Sequence, residues 1–88
     1  MKEILSQASI VDVRTPEEYL GGQYPGAVNI PLNQLLQRLD EFKEMKKPIV
    51  AYCRSGVRSS LAISLLQQNG LSEVYNGGGF FDIYNLNA

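Results

Sequence analysis

The sequence contains no histidine, and it has a single cysteine, Cys53. Imidazole is the usual general base near neutral pH, so its absence excludes a Cys–His protease and most schemes of general-base catalysis. One cysteine cannot form a disulfide within the chain, and the fold therefore does not depend on the redox compartment. A structural zinc site needs several cysteine or histidine ligands, which this chain lacks. We expect neither a bound metal nor a cofactor.

Long apolar runs and a strong net charge are also absent. The net charge of -1 gives no support for a nucleic-acid partner. No apolar run approaches the ~18 residues of a membrane span, and residues 1–6 lack the apolar core of a signal peptide. By default we expect a cytoplasmic protein, and a periplasmic mature form that has lost its signal peptide is the alternative.

Acidic residues are missing from one segment of the chain. Between residues 48 and 72 there is no aspartate or glutamate, and the only charged side chains are Arg54 and Arg58. The local potential around Cys53 should therefore be positive, although the whole chain is slightly acidic. If Cys53 is a nucleophile, electrostatics alone must favour its thiolate.

The 88 residues form a pattern in which strands and helices alternate. Short apolar runs that predict strands lie at residues 9–13, 27–30, 49–52 and 73–75. Segments that predict helices follow them at residues 15–21, 32–42, 59–68 and 80–84. This alternation indicates a single α/β domain over residues 1–88. We expect a mainly parallel sheet of four to five short strands with helices on both faces.

Individual residues refine the predicted helices and turns. Thr15, Pro16 and Glu18 are suited to the N-cap, the first position and the capping box of a short helix. Leucines at helical spacing over residues 32–42 predict one amphipathic helix that packs on the sheet. The helix at 59–68 should be largely buried, and the glycines at 77–79 should form a tight turn beside the loop after Cys53.

Cys53 lies where a predicted buried strand ends and a short loop leads into a helix. The free N–H groups and the dipole at a helix N-terminus stabilise an anion or a thiolate. Gly56 allows the backbone to turn so that successive N–H groups converge. In parallel sheets ligands bind beyond the carboxyl ends of the strands. We therefore interpret Cys53 as a reactive thiol, and a buried structural cysteine is the alternative.

Four segments, in order along the chain, resemble the motifs of the single-domain rhodaneses, or thiosulfate sulfurtransferases. Residues 12–19 and 25–32 are similar to the first two motifs of this family. Residues 53–59 are similar to its active-site loop, and residues 74–79 to its closing glycine motif. The segment 76–83 looks most like the small phage-shock rhodaneses of bacteria. The family often has a histidine where Gln23 stands and a tryptophan after the closing glycines, and this chain has neither.

The resemblance implies a sulfurtransferase that acts through a persulfide on Cys53. Cys53 as thiolate would take the outer sulfur of thiosulfate, and cyanide or a thiol would then accept that sulfur. Cys53 would be catalytic, Asp12 and Arg14 would support the site, and the donor would be bound by Arg54, Ser55, Gly56, Val57, Arg58 and Ser59. We expect a monomer whose partners are these small molecules.

The ionic contacts of the supporting residues can also be predicted. We expect Asp12 to cap or pair near the active loop and Arg14 to pair with Glu18. Arg58 should meet the anionic donor, and the alternative is that Arg58 makes a structural ion pair, for instance with Asp12.

Two other functions remain open. One is a sulfur carrier or persulfide-binding module that works only with a protein partner. The other is a phosphatase or an arsenate reductase, since these enzymes also place a cysteine and an arginine in a loop at a helix N-terminus. Four residues separate Cys53 from Arg58, one fewer than in the phosphatase signature. A shorter loop makes a smaller ring of N–H groups, which suits one sulfur atom better than a tetrahedral oxyanion.

Overall fold

Four parallel strands form one sheet in the computed structural model, which describes residues 2–86 and the side chains of residues 5–85. The strands lie in the order β2-β1-β3-β4, and all three neighbouring pairs are parallel. Their bounds are β1 Ser9–Asp12, β2 Val28–Asn29, β3 Ile49–Cys53 and β4 Val74–Gly79. The fold class predicted from the alternating pattern is confirmed.

Within residues 2–86, five α-helices cover the two faces of this sheet. They are α1 Lys2–Gln7, α2 Pro16–Leu20, α3 Leu39–Glu44, α4 Val57–Gln68 and α5 Phe80–Leu86. Side chains alternate between the faces of a strand, and β3 is buried along its whole length. Ile49, Ala51 and Cys53 therefore pack with residues of α3 and α4, whereas Val50 and Tyr52 pack with Leu5 and residues of α5. No helix within residues 2–86 is long and apolar enough to cross a membrane.

The predicted helix over residues 32–42 is not continuous. Two short 3₁₀ turns, Leu32–Gln34 and Leu36–Arg38, precede α3. The N–H of Leu35 donates to the Leu32 carbonyl and the N–H of Arg38 to the Leu35 carbonyl, which are three-residue steps. Apolar residues three apart share a face in both kinds of helix, so their spacing could not distinguish the two. Leu35 and Phe42 are buried, as that spacing predicted.

The glycines at 77–79 do not form the predicted turn, because they belong to β4. They run so close to β3 and the following loop that side chains would not fit. A Cβ on Gly77 would lie 2.9 Å from Cγ1 of Val50, and a Cβ on Gly79 would collide with the backbone carbonyl of Arg54. Glycine is depleted in strands, so the composition of this segment favoured a turn over a strand. The segment does lie beside the active loop, as predicted.

The capping box predicted for α2 is confirmed. The Thr15 side chain accepts a hydrogen bond from the Glu18 N–H, and the Glu18 carboxylate accepts one from the Thr15 N–H.

The prediction that the helix after Cys53 is largely buried holds for only part of that helix. Ala62 and Leu66 are buried in α4, but Leu61 is 52% exposed.

Candidate active site

Cys53 is the last residue of β3, and the first turn of α4 covers its side chain. Its Sγ receives hydrogen bonds from the backbone N–H groups of Gly56, at 3.0 Å, and Ser59, at 3.4 Å. Gly56 is the N-cap of α4 and has a φ of 95°, a left-handed conformation that brings its N–H round to the sulfur. Cys53 has no exposed surface.

Two opposing effects act on the Cys53 thiol. Burial raises its pKa, because it disfavours the charged thiolate. The contact of Sγ with the Ser59 hydroxyl and hydrogen bonds from the N–H groups of Ser59, Ser55 and Gly56 lower the pKa. The hydrogen bonds together outweigh burial, and the pKa of Cys53 lies below its ordinary value. The loop therefore favours the thiolate without an imidazole.

Arg58 forms an ion pair with Glu18 of α2. Its two terminal nitrogens donate to the two carboxylate oxygens at 2.7 and 3.1 Å. The predicted pairing of Glu18 with Arg14 is therefore wrong. Arg58 does make an ion pair, which was the alternative, but its partner is Glu18 and not Asp12. The error arose because Glu18 and Arg58 are 40 residues apart, and only the packing of α2 beside α4 brings them together.

Asp12 and Arg14 form a buried pair on the other face of the sheet. The guanidinium of Arg14 donates to both carboxylate oxygens of Asp12, with the shortest distance 2.7 Å, and the Arg14 N–H donates to Oδ1. The Tyr52 hydroxyl donates to Oδ2 of Asp12 at 2.7 Å. The Arg14 guanidinium also lies 4.7 Å from the centre of the Phe80 ring. These residues hold the ends of β1 and β3 together. Asp12 and Arg14 thus pair with each other, and not with the active loop and Glu18 as predicted.

Arg54, Ser55 and Val57 are exposed on the surface of the loop. Arg54 makes no ion pair and no side-chain hydrogen bond to any residue that the structure describes. Its carbonyl accepts a hydrogen bond from the N–H of Phe80, which ties the loop to α5. A surface cavity of about 290 Å³ lies beside Arg54 and is lined by Arg14, Glu17, Glu18, Gly21, Gly22, Arg54, Phe80 and Phe81. The candidate donor-binding residues thus lie together, but only Arg54 offers a cation with no acidic partner.

Asn76 is part of the site, although the sequence did not single it out. Its Oδ1 is 2.6 Å from the Ser59 hydroxyl, and its Nδ2 donates to the Gly56 carbonyl at 3.3 Å. It lies in β4, directly before Gly77, where the register with β3 shifts. The signal that could have found it is the Asn-Gly-Gly run at the carboxyl end of a predicted strand, because asparagine there often bonds to backbone two residues on.

The ion pair of Glu18 with Arg58 should make stability depend on pH in acid. The hydrogen bonds from Arg58 lower the pKa of Glu18 from 4.5 to about 2. The stabilisation is therefore present above pH 4.5 and is lost as the pH falls toward 2. The two side chains are 28% and 35% exposed, so we expect an effect of no more than about 1 kcal/mol.

Urea titrations at several pH values would measure this effect. Glu18→Gln should lose less stability than the unmodified protein as the pH falls from 4.5 to 2, since it has no carboxylate to protonate. Glu17→Gln is the matched control, because Glu17 makes no ion pair within residues 2–86. Parallel pH curves for the unmodified protein and Glu18→Gln would contradict the assignment.

The fold and this site define a class of α/β domain in which a parallel sheet holds a cysteine beneath a loop lined by N–H groups. The chain belongs to the rhodanese-like domain family, whose sequence model matches residues 1–87. The resemblance read from the four motifs is confirmed.

Curated relatives and solved structures agree with this assignment. The chain is 48% identical over 75 residues to the uncharacterized protein YqhL of Bacillus subtilis. The aligned segment covers 84% of this chain and 59% of YqhL. It is 38% identical over 74 residues to the thiosulfate sulfurtransferase PspE of Escherichia coli, and that alignment covers 83% of this chain and 71% of PspE. A solved structure described as a rhodanese with anions from E. coli matches with a TM-score of 0.74 and 33% identity, covering 85% of this chain and 89% of that one. The chain thus spans less than two thirds of YqhL.

Proposed function

We propose that the chain is a sulfurtransferase that moves the outer sulfur of thiosulfate to cyanide or a thiol through a persulfide on Cys53. The observation that carries this proposal is the convergence of the Gly56 and Ser59 N–H groups on Sγ in a chain without histidine. Sulfur transfer suits such a nucleophile, because the thiolate attacks without a general base. Membership of the rhodanese-like family and the similarity to PspE support the same reaction.

In the first step, the Cys53 thiolate attacks the outer sulfur of thiosulfate. A bond forms between Sγ and that sulfur, the S–S bond of thiosulfate breaks, and sulfite leaves with its electron pair. The outer sulfur of the persulfide carries a negative charge. The N–H groups of Val57 and Arg58 lie in the first turn of α4, where no intrahelical acceptor exists, and they are suited to stabilise this sulfur.

In the second step, an acceptor nucleophile attacks the outer sulfur. The bond between Sγ and the outer sulfur breaks, and its electron pair returns to Sγ as the thiolate. Cyanide leaves as thiocyanate, and a thiolate leaves as a new persulfide. Because donor and acceptor react in turn with one cysteine, the kinetics should be ping-pong.

Arg54 is the cation that we assign to the attraction of the dianionic donor. It is exposed and beside the nucleophile, and it has no acidic partner among the residues that the structure describes. Arg58 is also in the loop, but Glu18 accepts hydrogen bonds from both of its terminal nitrogens, which reduces the charge it offers to a donor. Ser55, Gly56, Val57 and Ser59 would contribute through the backbone of the loop.

The direct test is the mass of the protein after exposure to thiosulfate, followed by turnover with thiosulfate and cyanide as the only substrates. We expect a gain of one sulfur atom, its loss when cyanide is added, and continuous release of thiocyanate. A persulfide that forms without turnover would favour a carrier that needs a protein partner. An unchanged mass together with hydrolysis of a phosphate ester would contradict the proposal and favour the phosphatase interpretation.

Arg54→Ala should weaken the use of thiosulfate without affecting stability. We expect the KM for thiosulfate to rise about fivefold at low salt and to depend less on salt, since exposed charges steer anions and are screened by added ions. The free energy of unfolding should change by less than about 0.5 kcal/mol, as for other surface substitutions. Steady-state kinetics at low and high salt, with thermal melts, would measure both.

Arg38→Ala is the matched control for Arg54→Ala, because it removes the same charge from a segment outside the loop. Equal changes in KM for the two variants would show that only net charge matters. Unchanged kinetics with a large fall in melting temperature would instead make Arg54 a structural residue.

A further inference from the structure

The side chain of Asn76 connects β4 to the loop that covers Cys53. Its Oδ1 lies 2.6 Å from Oγ of Ser59 and 2.8 Å from the backbone nitrogen of Gly78. Its Nδ2 lies 3.3 Å from the Gly56 carbonyl oxygen. Ser59 is buried, and its hydroxyl is also 3.4 Å from Sγ of Cys53. Asn76 thus contacts the hydroxyl group that contacts the sulfur.

These contacts define which atom donates in each hydrogen bond. The Gly78 N–H can only donate, so the Asn76 atom that it meets must be the amide oxygen. The Gly56 carbonyl can only accept, which places the Asn76 amide nitrogen beside it. Because an amide oxygen has no hydrogen to give, the Ser59 hydroxyl must be the donor in the 2.6 Å contact.

The Ser59 hydroxyl has one hydrogen, and three acceptors compete for it. The Asn76 oxygen is at 2.6 Å, the Gly56 carbonyl at 3.2 Å and the Cys53 sulfur at 3.4 Å. With the hydrogen directed to Asn76, Oγ presents only lone pairs to Sγ. Its contact with the sulfur is then a hydrogen bond only when Cys53 is a thiol and donates its S–H.

We propose that Asn76 is a positioning residue for the Ser59 hydroxyl. In the thiol and persulfide states Asn76 accepts the hydroxyl hydrogen, and in the thiolate state this hydrogen is donated to Cys53. In the thiol, hydrogen bonds run from Cys53 to Ser59 and from Ser59 to Asn76. When Cys53 loses its proton to solvent, the hydroxyl turns and donates to the charged sulfur. Asn76 then still accepts from the Gly78 N–H, so its oxygen is not left without a donor.

This arrangement couples the hydroxyl to the charge on Sγ. Formation of the persulfide moves the negative charge from Sγ to the outer sulfur, and the hydroxyl can return to Asn76. Asn76 therefore opposes ionisation of the resting thiol and favours the persulfide over the thiolate. This consequence for the persulfide rests on the proposed function, whereas the effect on ionisation of the thiol does not.

Other charged groups around the loop do not take part in this contact. Those that face the loop from the elements packed against it are Arg54, Arg58, Glu18 of α2 and Asp82 of α5. Glu18 is paired with Arg58, and Asp82 accepts from the Gly79 N–H. Asp12 and Arg14 pair on the opposite face of the sheet. None of these side chains bonds to Ser59 or Asn76, so a change at Asn76 leaves all of these charges in place.

The test is a titration of the Cys53 thiolate by its ultraviolet absorbance, in Asn76→Ala, Ser59→Ala and the double variant. Cys53 is the only cysteine, so it alone produces the thiol signal. Asn76→Ala should raise the ionisation constant about fivefold, since ionisation then no longer breaks the hydrogen bond from Ser59 to Asn76. In the Ser59→Ala background the same substitution should have no effect. Asn29→Ala is the control, because this amide bonds to backbone carbonyls of Asp12 and Arg14 and does not contact Ser59.

Two results would overturn the proposal. One is an unchanged or reduced ionisation constant in Asn76→Ala, and the other is a shift that persists without the Ser59 hydroxyl, as a merely structural role would give. If Asn76→Ala does not fold, Asn76→Leu decides, because leucine is close to asparagine in size, removes the acceptor and adds no charge, so the ionisation constant should again rise. A titration needs no sulfur donor, so its outcome is separate from that of the thiosulfate test.

Discussion

Cys53→Ser is expected to abolish sulfur transfer and to leave the fold intact. The loop lowers the pKa of a thiol, but N–H groups cannot bring a hydroxyl, whose pKa is far higher, to an alkoxide near neutral pH. We expect turnover with thiosulfate and cyanide to fall at least about a thousandfold, as when other nucleophiles are removed. The substitution changes one atom, and the N–H groups of Gly56 and Ser59 can donate to the new oxygen.

Mass, turnover and thermal melts would be compared for Cys53→Ser and for Ser64→Ala. Ser64 lies in α4 and is exposed, so its variant also changes one polar atom, but outside the loop. Ser64→Ala should take up one sulfur atom and turn over normally, whereas Cys53→Ser should do neither. Turnover of Cys53→Ser above that of buffer would disprove a persulfide on this residue.

Asp12→Ala is expected to have the largest effect on stability. Asp12 has no exposed surface and accepts hydrogen bonds from Arg14 and Tyr52. Its loss leaves the Arg14 guanidinium buried without its counter-ion, which costs about 3–5 kcal/mol in other buried pairs. Native domains have only about 5–15 kcal/mol of stability, so the midpoint of urea denaturation should fall sharply.

The matched control is Glu41→Ala, which breaks the ion pair of Glu41 with Arg38. The shortest N–O distance of that pair is 2.6 Å, close to the 2.7 Å of the Asp12–Arg14 pair, but both of its side chains are partly exposed. Its loss should cost far less stability than the loss of Asp12, because water screens both charges. If the two variants lost the same stability, burial would not be what makes the Asp12 pair important.

The sequence alone determined the features that depend on residues close together along the chain. The capping box of Thr15 and Glu18 is one, because its hydrogen bonds join residues three apart. The position of Cys53 is another, since the strand before it, the left-handed Gly56 and the helix after it are consecutive. The pairing of Asp12 with Arg14 was also within reach, because the two residues are only two positions apart along the chain. Our prediction missed it by assigning Arg14 to Glu18.

Only the tertiary structure decided which distant groups meet at the site. Arg58 neutralises Glu18 because the fold brings α2 to the first turn of α4. This leaves Arg54 as the cation of the loop that has no acidic partner in the described part of the chain. Asn76 reaches Ser59 because β4 runs directly beside β3, which the glycines at 77–79 permit by having no side chains. Charge and hydrogen-bonding capacity are properties of single residues and can be read from the sequence. The choice among many possible partners depends on which surfaces the packed sheet and helices bring together.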